Sequence, residues 1–207
     1  MIKRYIGREE ETRQITQYLH TEKSEMIALY GRRRVGKTYL VRCTAGKLID
    51  FEFTGMYRTS GAIQRLQFQK ELNMLTGRED AVPQDWFEAF DHLRDYLLSL
   101  QKEQAVVFLD EIPWMDTAGS CFLAAFSRFW NNWGRENMLL KLFVCGSATT
   151  WMLDKLIGDQ GGLYGRVTHA IYLAPLTLRE TEQYLNEMKG MNYDRKQMLD
   201  AYIPNPI

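Results

Sequence analysis

The feature that most constrains this chain is an eight-residue stretch, Gly31-Arg32-Arg33-Arg34-Val35-Gly36-Lys37-Thr38, which fits the pattern G-x-x-x-x-G-K-[ST]. Its context gives it weight. It follows a compact apolar run, Met26 to Tyr30, and leads into a helix-compatible stretch beginning near Lys37. Strand, glycine-punctuated loop and helix in that order distinguish a phosphate-binding loop from a chance match. Gly31 and Gly36 permit backbone angles closed to other residues, so consecutive amides can turn inward at a helix N-terminus and form a nest for anions. Lys37 is then expected to reach the β- and γ-phosphates of a nucleotide, and the Thr38 hydroxyl to coordinate Mg²⁺. Tyr39, next along the helix, is counted with the binding set. Arg32, Arg33 and Arg34 occupy variable positions, beside Val35. They read as a solvated crest that steers nucleotide inward, with a basic patch for a partner as the second reading.

Ala105-Val106-Val107-Phe108-Leu109 is a second apolar run, and it ends in two adjacent carboxylates, Asp110 and Glu111. An Asp-Glu pair after a strand can simply open a turn. Joined to the glycine loop it is a Walker B pattern, with Asp110 holding Mg²⁺ through water and Glu111 polarising the water that attacks the γ-phosphate. An enzyme that transfers phosphate to an acceptor must keep water out, whereas a hydrolase must activate it, so the glutamate favours hydrolysis. Leu142 to Cys145 leads through Gly146 to Ser147, which would lie beside the acidic pair if its strand neighbours theirs. Ser147 then senses the γ-phosphate or positions water, or else caps the segment beginning Thr149-Thr150-Trp151. Gly161-Gly162-Leu163-Tyr164-Gly165-Arg166 is a glycine-rich lead into the last strand, and Arg166 is either a surface cation or a guanidinium that approaches transition-state charge.

Leu48 to Phe53, Leu140 to Cys145 and Ala170 to Leu173 complete a set of five expected strands whose near-continuous hydrophobicity suits a parallel sheet covered on both faces. Between them, Trp86, Phe90, Leu93, Leu97 and Leu100, and then Phe122, Phe126, Phe129 and Trp133, repeat with helical period, as core-facing stripes rather than a ligand box. A helix is expected over Glu9 to Leu19, and another over Thr177 to Lys189, where Thr177 and Glu180 have capping-box spacing. Alternating strands and helices mean an open α/β sheet with helices on both sides.

Composition removes several function classes. Lys+Arg and Asp+Glu number 26 each, so no global field draws the chain to nucleic acid or an anionic membrane, and any such binding must be local. No apolar run approaches the roughly 20 residues that span a bilayer, and the N-terminus lacks a secretory pattern, so a cytoplasmic address is expected. Cys43, Cys121 and Cys145 fall in apolar or helical stretches, as buried thiols of a reducing compartment would. His20, His92 and His169 lack ligand spacing, so no metal centre held by histidine or cysteine is indicated.

These residues resemble the archaeal-type and bacterial ATPases of the AAA+/STAND border. The carriers are Tyr5-Ile6-Gly7-Arg8-Glu9, the GRRRVGKT loop, Asp110 to Met115, Cys145-Gly146-Ser147-Ala148, and Gly165-Arg166 followed by Leu173-Ala174-Pro175-Leu176. The resemblance implies a P-loop NTPase three-layer sandwich, with a parallel five-stranded sheet of order 5-1-4-3-2. It also implies ATP rather than GTP, and adenine contacts from Ile6, Gly7 and Arg8. Ser147 is implied as the sensor, and Arg166 as a candidate arginine finger acting in cis or in trans. An ATPase core over 1–190 is expected, with 191–207 as the start of an incomplete helical lid or tail, since family members continue further and Pro204-Asn205-Pro206 argues against continued helix. The implied activity is Mg-dependent ATP hydrolysis driving a conformational switch, with a nucleic acid or protein client and a homo-oligomer both open. The alternative is a nucleotide-gated binding module with little turnover.

Overall fold

The structure is a computed structural model that describes residues 6–136, 139–158, 163–189 and 196–197. The expected tail, 191–207, and the Tyr5, Gly161 and Gly162 positions therefore lie outside the described residues, apart from 196–197.

Five strands, β1 (Glu25–Tyr30), β2 (Phe51–Thr54), β3 (Gln104–Asp110), β4 (Leu139–Gly146) and β5 (His169–Tyr172), form one sheet of order β2-β3-β4-β1-β5. Every pairing is parallel, and the order is the expected 5-1-4-3-2 read from the other edge. Alternation along the strands divides the core into two layers. Met26, Ala28, Val107, Leu109, Leu142 and Val144 face one layer, and Ile27, Leu29, Val106, Phe108, Phe143 and Cys145 the other. The first layer is closed by α3 (Gly61–Thr76), α4 (Trp86–Ser99) and α5 (Phe122–Phe129), the second by α1 (Glu9–Leu19) and α2 (Lys37–Ala45). The result is a three-layer sandwich, in which both aromatic stripes are core: Trp86, Phe90, Phe122 and Phe126 are all buried.

Several expectations shift. Leu48 does not open β2; it ends a 3₁₀ turn over Gly46–Leu48 and stays about half exposed. The stripe ending at Trp133 leaves α-helical period after Phe129, where a π-helical turn covers Trp130–Gly134. A second π turn, Met152–Ile157, extends the short helix α6 (Thr149–Trp151). Burial on both faces holds for β1, β3 and β4, but β2 and β5 are the sheet's edges, and Ala170 and Tyr172 of β5 are exposed. Cys43 and Cys121 are exposed and only Cys145 is buried, because the first two fall on the outward side of α2 and at the cap of α5.

Lys141 sits fully buried within β4. Its ammonium donates to the carbonyls of Thr21 and Lys23 and to the Thr21 hydroxyl, at 2.6–2.7 Å. Three acceptors satisfy the three donors of the ammonium, which is why a charge is tolerated there. This polar cluster, with Glu25 and His169, closes the amino-terminal edge of the sheet, opposite the edge from which the glycine loop emerges.

At the far end, α7 (Leu178–Lys189) begins with the expected capping box. The Thr177 amide donates to Glu180 Oε2 at 2.7 Å and the Glu180 amide to Thr177 Oγ1 at 3.3 Å.

Candidate nucleotide site

β1 ends at Tyr30 and α2 starts at Lys37, so residues 31–36 form the connection. Its backbone is one that side chains resist: φ is 144° at Gly31, 66° at Arg34 and 92° at Gly36. Gly31 has a second constraint, since a Cβ there would collide with the carbonyl oxygen of Leu173, just beyond β5. Arg32, Arg33 and Arg34 form an exposed crest, while Val35 tucks into the core beside Leu40 and Val41.

Lys37 is buried, and its ammonium donates to the carbonyls of Gly31 at 3.0 Å and Arg32 at 2.8 Å, spanning the loop. Burial pushes its pKa down, against the support of the Glu111 and Asp110 charges. Thr38 donates its hydroxyl to Asp110 Oδ2 at 2.7 Å, joining the loop to the end of β3. The Asp110 carboxyl is itself buried, and desolvation raises its pKa. The Thr38 hydroxyl and the Glu111 amide oppose that rise, the amide reaching Oδ1 at 3.0 Å. These oxygens form a hard donor set that suits Mg²⁺.

Glu111 is held in the left-handed region, φ 47° and ψ 44°. That turn carries its carboxylate toward β4, where Ser147 donates to Oε2 from both its amide, at 3.1 Å, and its hydroxyl, at 2.8 Å. Because β3 and β4 are neighbours, Ser147 meets the acidic pair at the carboxyl edge of the sheet, the edge where ligands bind in open α/β folds.

Ile6 and Arg8 are buried at the start of α1. Arg8 donates to Glu11 and to the carbonyl of Ala174, which follows the Leu173 against which Gly31 packs. The 6–8 segment thus adjoins the glycine loop through the stretch after β5. Tyr39 lies on α2, partly exposed. Arg166 is not brought to this cluster. It ends a turn from Leu163, two residues before Thr168, whose amide bonds to the Met26 carbonyl at the amino-terminal edge of the sheet. Four strand residues, about 13 Å, separate Met26 from Tyr30.

Sequence reasoning missed Gln64, a fully buried glutamine on α3. Its amide group donates to the carbonyls of Met56 at 2.7 Å and Trp114 at 3.0 Å and accepts from the Met56 amide at 3.0 Å. It ties the loop after β2 to the turn after β3, but a glutamine inside a helix carries no signal of such a role.

Comparison with known proteins places these features. The model of an ATPase domain found predominantly in Archaea matches residues 5–200. An uncharacterized protein of Methanocaldococcus jannaschii is 25% identical over 180 residues, covering 87% of this chain and 38% of that protein. Among solved structures, a Walker-type ATPase of Pyrococcus abyssi superposes with a TM-score of 0.68 at 22% identity, over 96% of this chain and 63% of that one. The ORC2 protein of Aeropyrum pernix in its ADP form gives 0.60 at 16% identity, over 94% and 56%. Cdc6p of Pyrobaculum aerophilum gives 0.60 at 18%, over 88% and 49%. The chain therefore spans less than two thirds of the length of each of these relatives.

Proposed function

Because the chain belongs to the family of ATPase domains found predominantly in Archaea, we propose that it binds ATP with Mg²⁺ and hydrolyses the bond between the β- and γ-phosphates. The observation that carries this reading is the 2.7 Å hydrogen bond between Thr38 and Asp110, which draws the two metal-ligand candidates together at the mouth of the glycine loop. Mg²⁺ bound there would neutralise charge on the β- and γ-oxygens.

The chain's own groups supply the rest. The loop amides and the Lys37 ammonium hold phosphate oxygens, and Lys37 exchanges its two carbonyl partners for them. Glu111 takes a proton from the attacking water, whose oxygen bonds to the γ-phosphorus as the bridging oxygen leaves with ADP. Both Ser147 donors fall on Oε2, so Oε1 is assigned to the water. Ser147 thereby acts as a positioning residue. Ile6, Gly7 and Arg8 are assigned to the adenine end. Arg166, on the opposite edge of its own sheet, would reach transition-state charge only in a neighbouring copy of the chain. The nucleotide cycle would drive a conformational switch coupled to a client.

Titration with a fluorescent ATP analogue tests the binding half. Native protein should bind in a Mg²⁺-dependent manner, and Lys37→Ala should weaken binding by about 100-fold or more. Equal affinities would remove the glycine loop from the site. A protein that binds nucleotide but releases no phosphate would be the gated binding module instead.

A further inference from the structure

One chain of contacts leaves the phosphate loop and is not used by the chemistry above. The Arg33 guanidinium lies over the Trp114 ring, 5.5 Å from its centroid. Trp114 packs against Tyr57 at 5.4 Å, and the Arg58 guanidinium lies over Tyr57 at 5.1 Å. Cation, ring, ring and cation thus follow one another from the loop crest to the segment after β2. Tyr57 is 56% exposed although it is a large aromatic, and Arg32, Arg33, Arg34 and Arg58 are all exposed.

The array is built rather than incidental. Buried Gln64 fixes the backbones at Met56 and Trp114, one residue from Tyr57 and at the second ring itself. The two loops also approach so closely that a Cβ at Gly55 would stand 2.6 Å from the Glu111 carbonyl oxygen. Arg34 and Arg58 are held at positive φ, 66° and 53°. Two rings in contact, with a guanidinium over each and two more exposed arginines on the neighbouring loop crest, match the chemistry of an unpaired polynucleotide, whose bases stack on aromatic faces while its phosphates meet arginine. An acidic peptide would satisfy the arginines but leave the exposed ring without a stacking partner. A base-paired duplex hides its ring faces.

We propose that the Arg33–Trp114–Tyr57–Arg58 array binds single-stranded nucleic acid. The proposal names a client for the ATP-driven switch and rests on that reading only for its coupling to turnover, since Arg33 belongs to the phosphate loop and Trp114 lies three residues past Glu111. The neutral overall composition fits a confined patch of this kind.

The test is fluorescence anisotropy with end-labelled dT and rU oligomers of equal length, the purified chain being the titrant. Binding should weaken with salt, as phosphate contacts require. Tyr57→Ala should weaken it by roughly 5- to 150-fold, the range for losing one stacked base, and Tyr57→Phe should restore it. Arg58→Gln should reduce the magnitude of the slope of log affinity against log salt by about 0.7. Unlabelled duplex or polyglutamate at equal charge should compete poorly. Absent binding, equal binding by Tyr57→Ala, or equal competition by duplex or polyglutamate would each overturn the proposal. Lys37→Ala separates the two readings: it should lose the ATP analogue yet keep the oligomer, whereas Tyr57→Ala should do the reverse.

Discussion

At the level of single residues, the candidate site is a small set of groups kept in states that water would not choose. Asp110 is the clearest case. Its burial raises the pKa, so the folded protein keeps this proton to a higher pH than the unfolded chain does. The stability linked to that proton is complete below the ordinary value of 3.8 and is lost as pH rises through the raised folded value. Asp110→Asn has no proton to lose. It should therefore be more stable than the native protein at neutral pH, with the gap narrowing as pH falls toward 3.8. Urea unfolding midpoints across that range measure it, and a gap that widens toward acid would contradict the burial argument. Much of this set could be read beforehand, because phosphate chemistry demands fixed residue types at fixed spacing: Lys37, Thr38, Asp110 and Glu111 stand out in one dimension. The exposure of Cys43 and Cys121 could not, since small residues suit either side of a helix and only packing decides which.

At the level of elements, the loops that form the candidate site are positioned by groups outside the motifs. Gln64 on α3 ties the segment after β2 to the turn after β3. Gln64→Ala would strand three backbone groups and should cost about 2–3 kcal/mol. Chemical denaturation tests this, and a loss below about 0.5 kcal/mol would mean that water replaces the amide freely. α3 itself escaped the sequence pattern. Its inward residues, Gln64, Phe68, Gln69 and Leu72, alternate polar with apolar, while Ile63, Met74 and Leu75 face outward, so no apolar stripe forms. α7 was legible because its amino terminus obeys a local rule, the capping box of Thr177 and Glu180. The π turn after α5 was not, because the side-chain spacing from Phe129 to Trp133 fits an ordinary helix equally well.

At the level of the whole molecule, the sheet order was accessible only through family resemblance. Hydrophobic runs identify strands but say nothing about which are neighbours, and the order brings Ser147 beside Glu111. The same topology sends Arg166 toward the amino-terminal edge. If it serves a neighbouring copy, phosphate release per protomer should rise with protein concentration, and Arg166→Ala should flatten that rise. A profile that is flat in the native protein would leave Arg166 as a surface cation. The central claim is that Glu111, oriented by Ser147, activates water at a nucleotide held by the glycine loop. Its most direct test is phosphate release from Mg-ATP by Glu111→Gln beside the native chain, with nucleotide binding measured in parallel. The account predicts unchanged binding and a loss of turnover of about 100-fold or more; turnover at the native rate in that variant would contradict it.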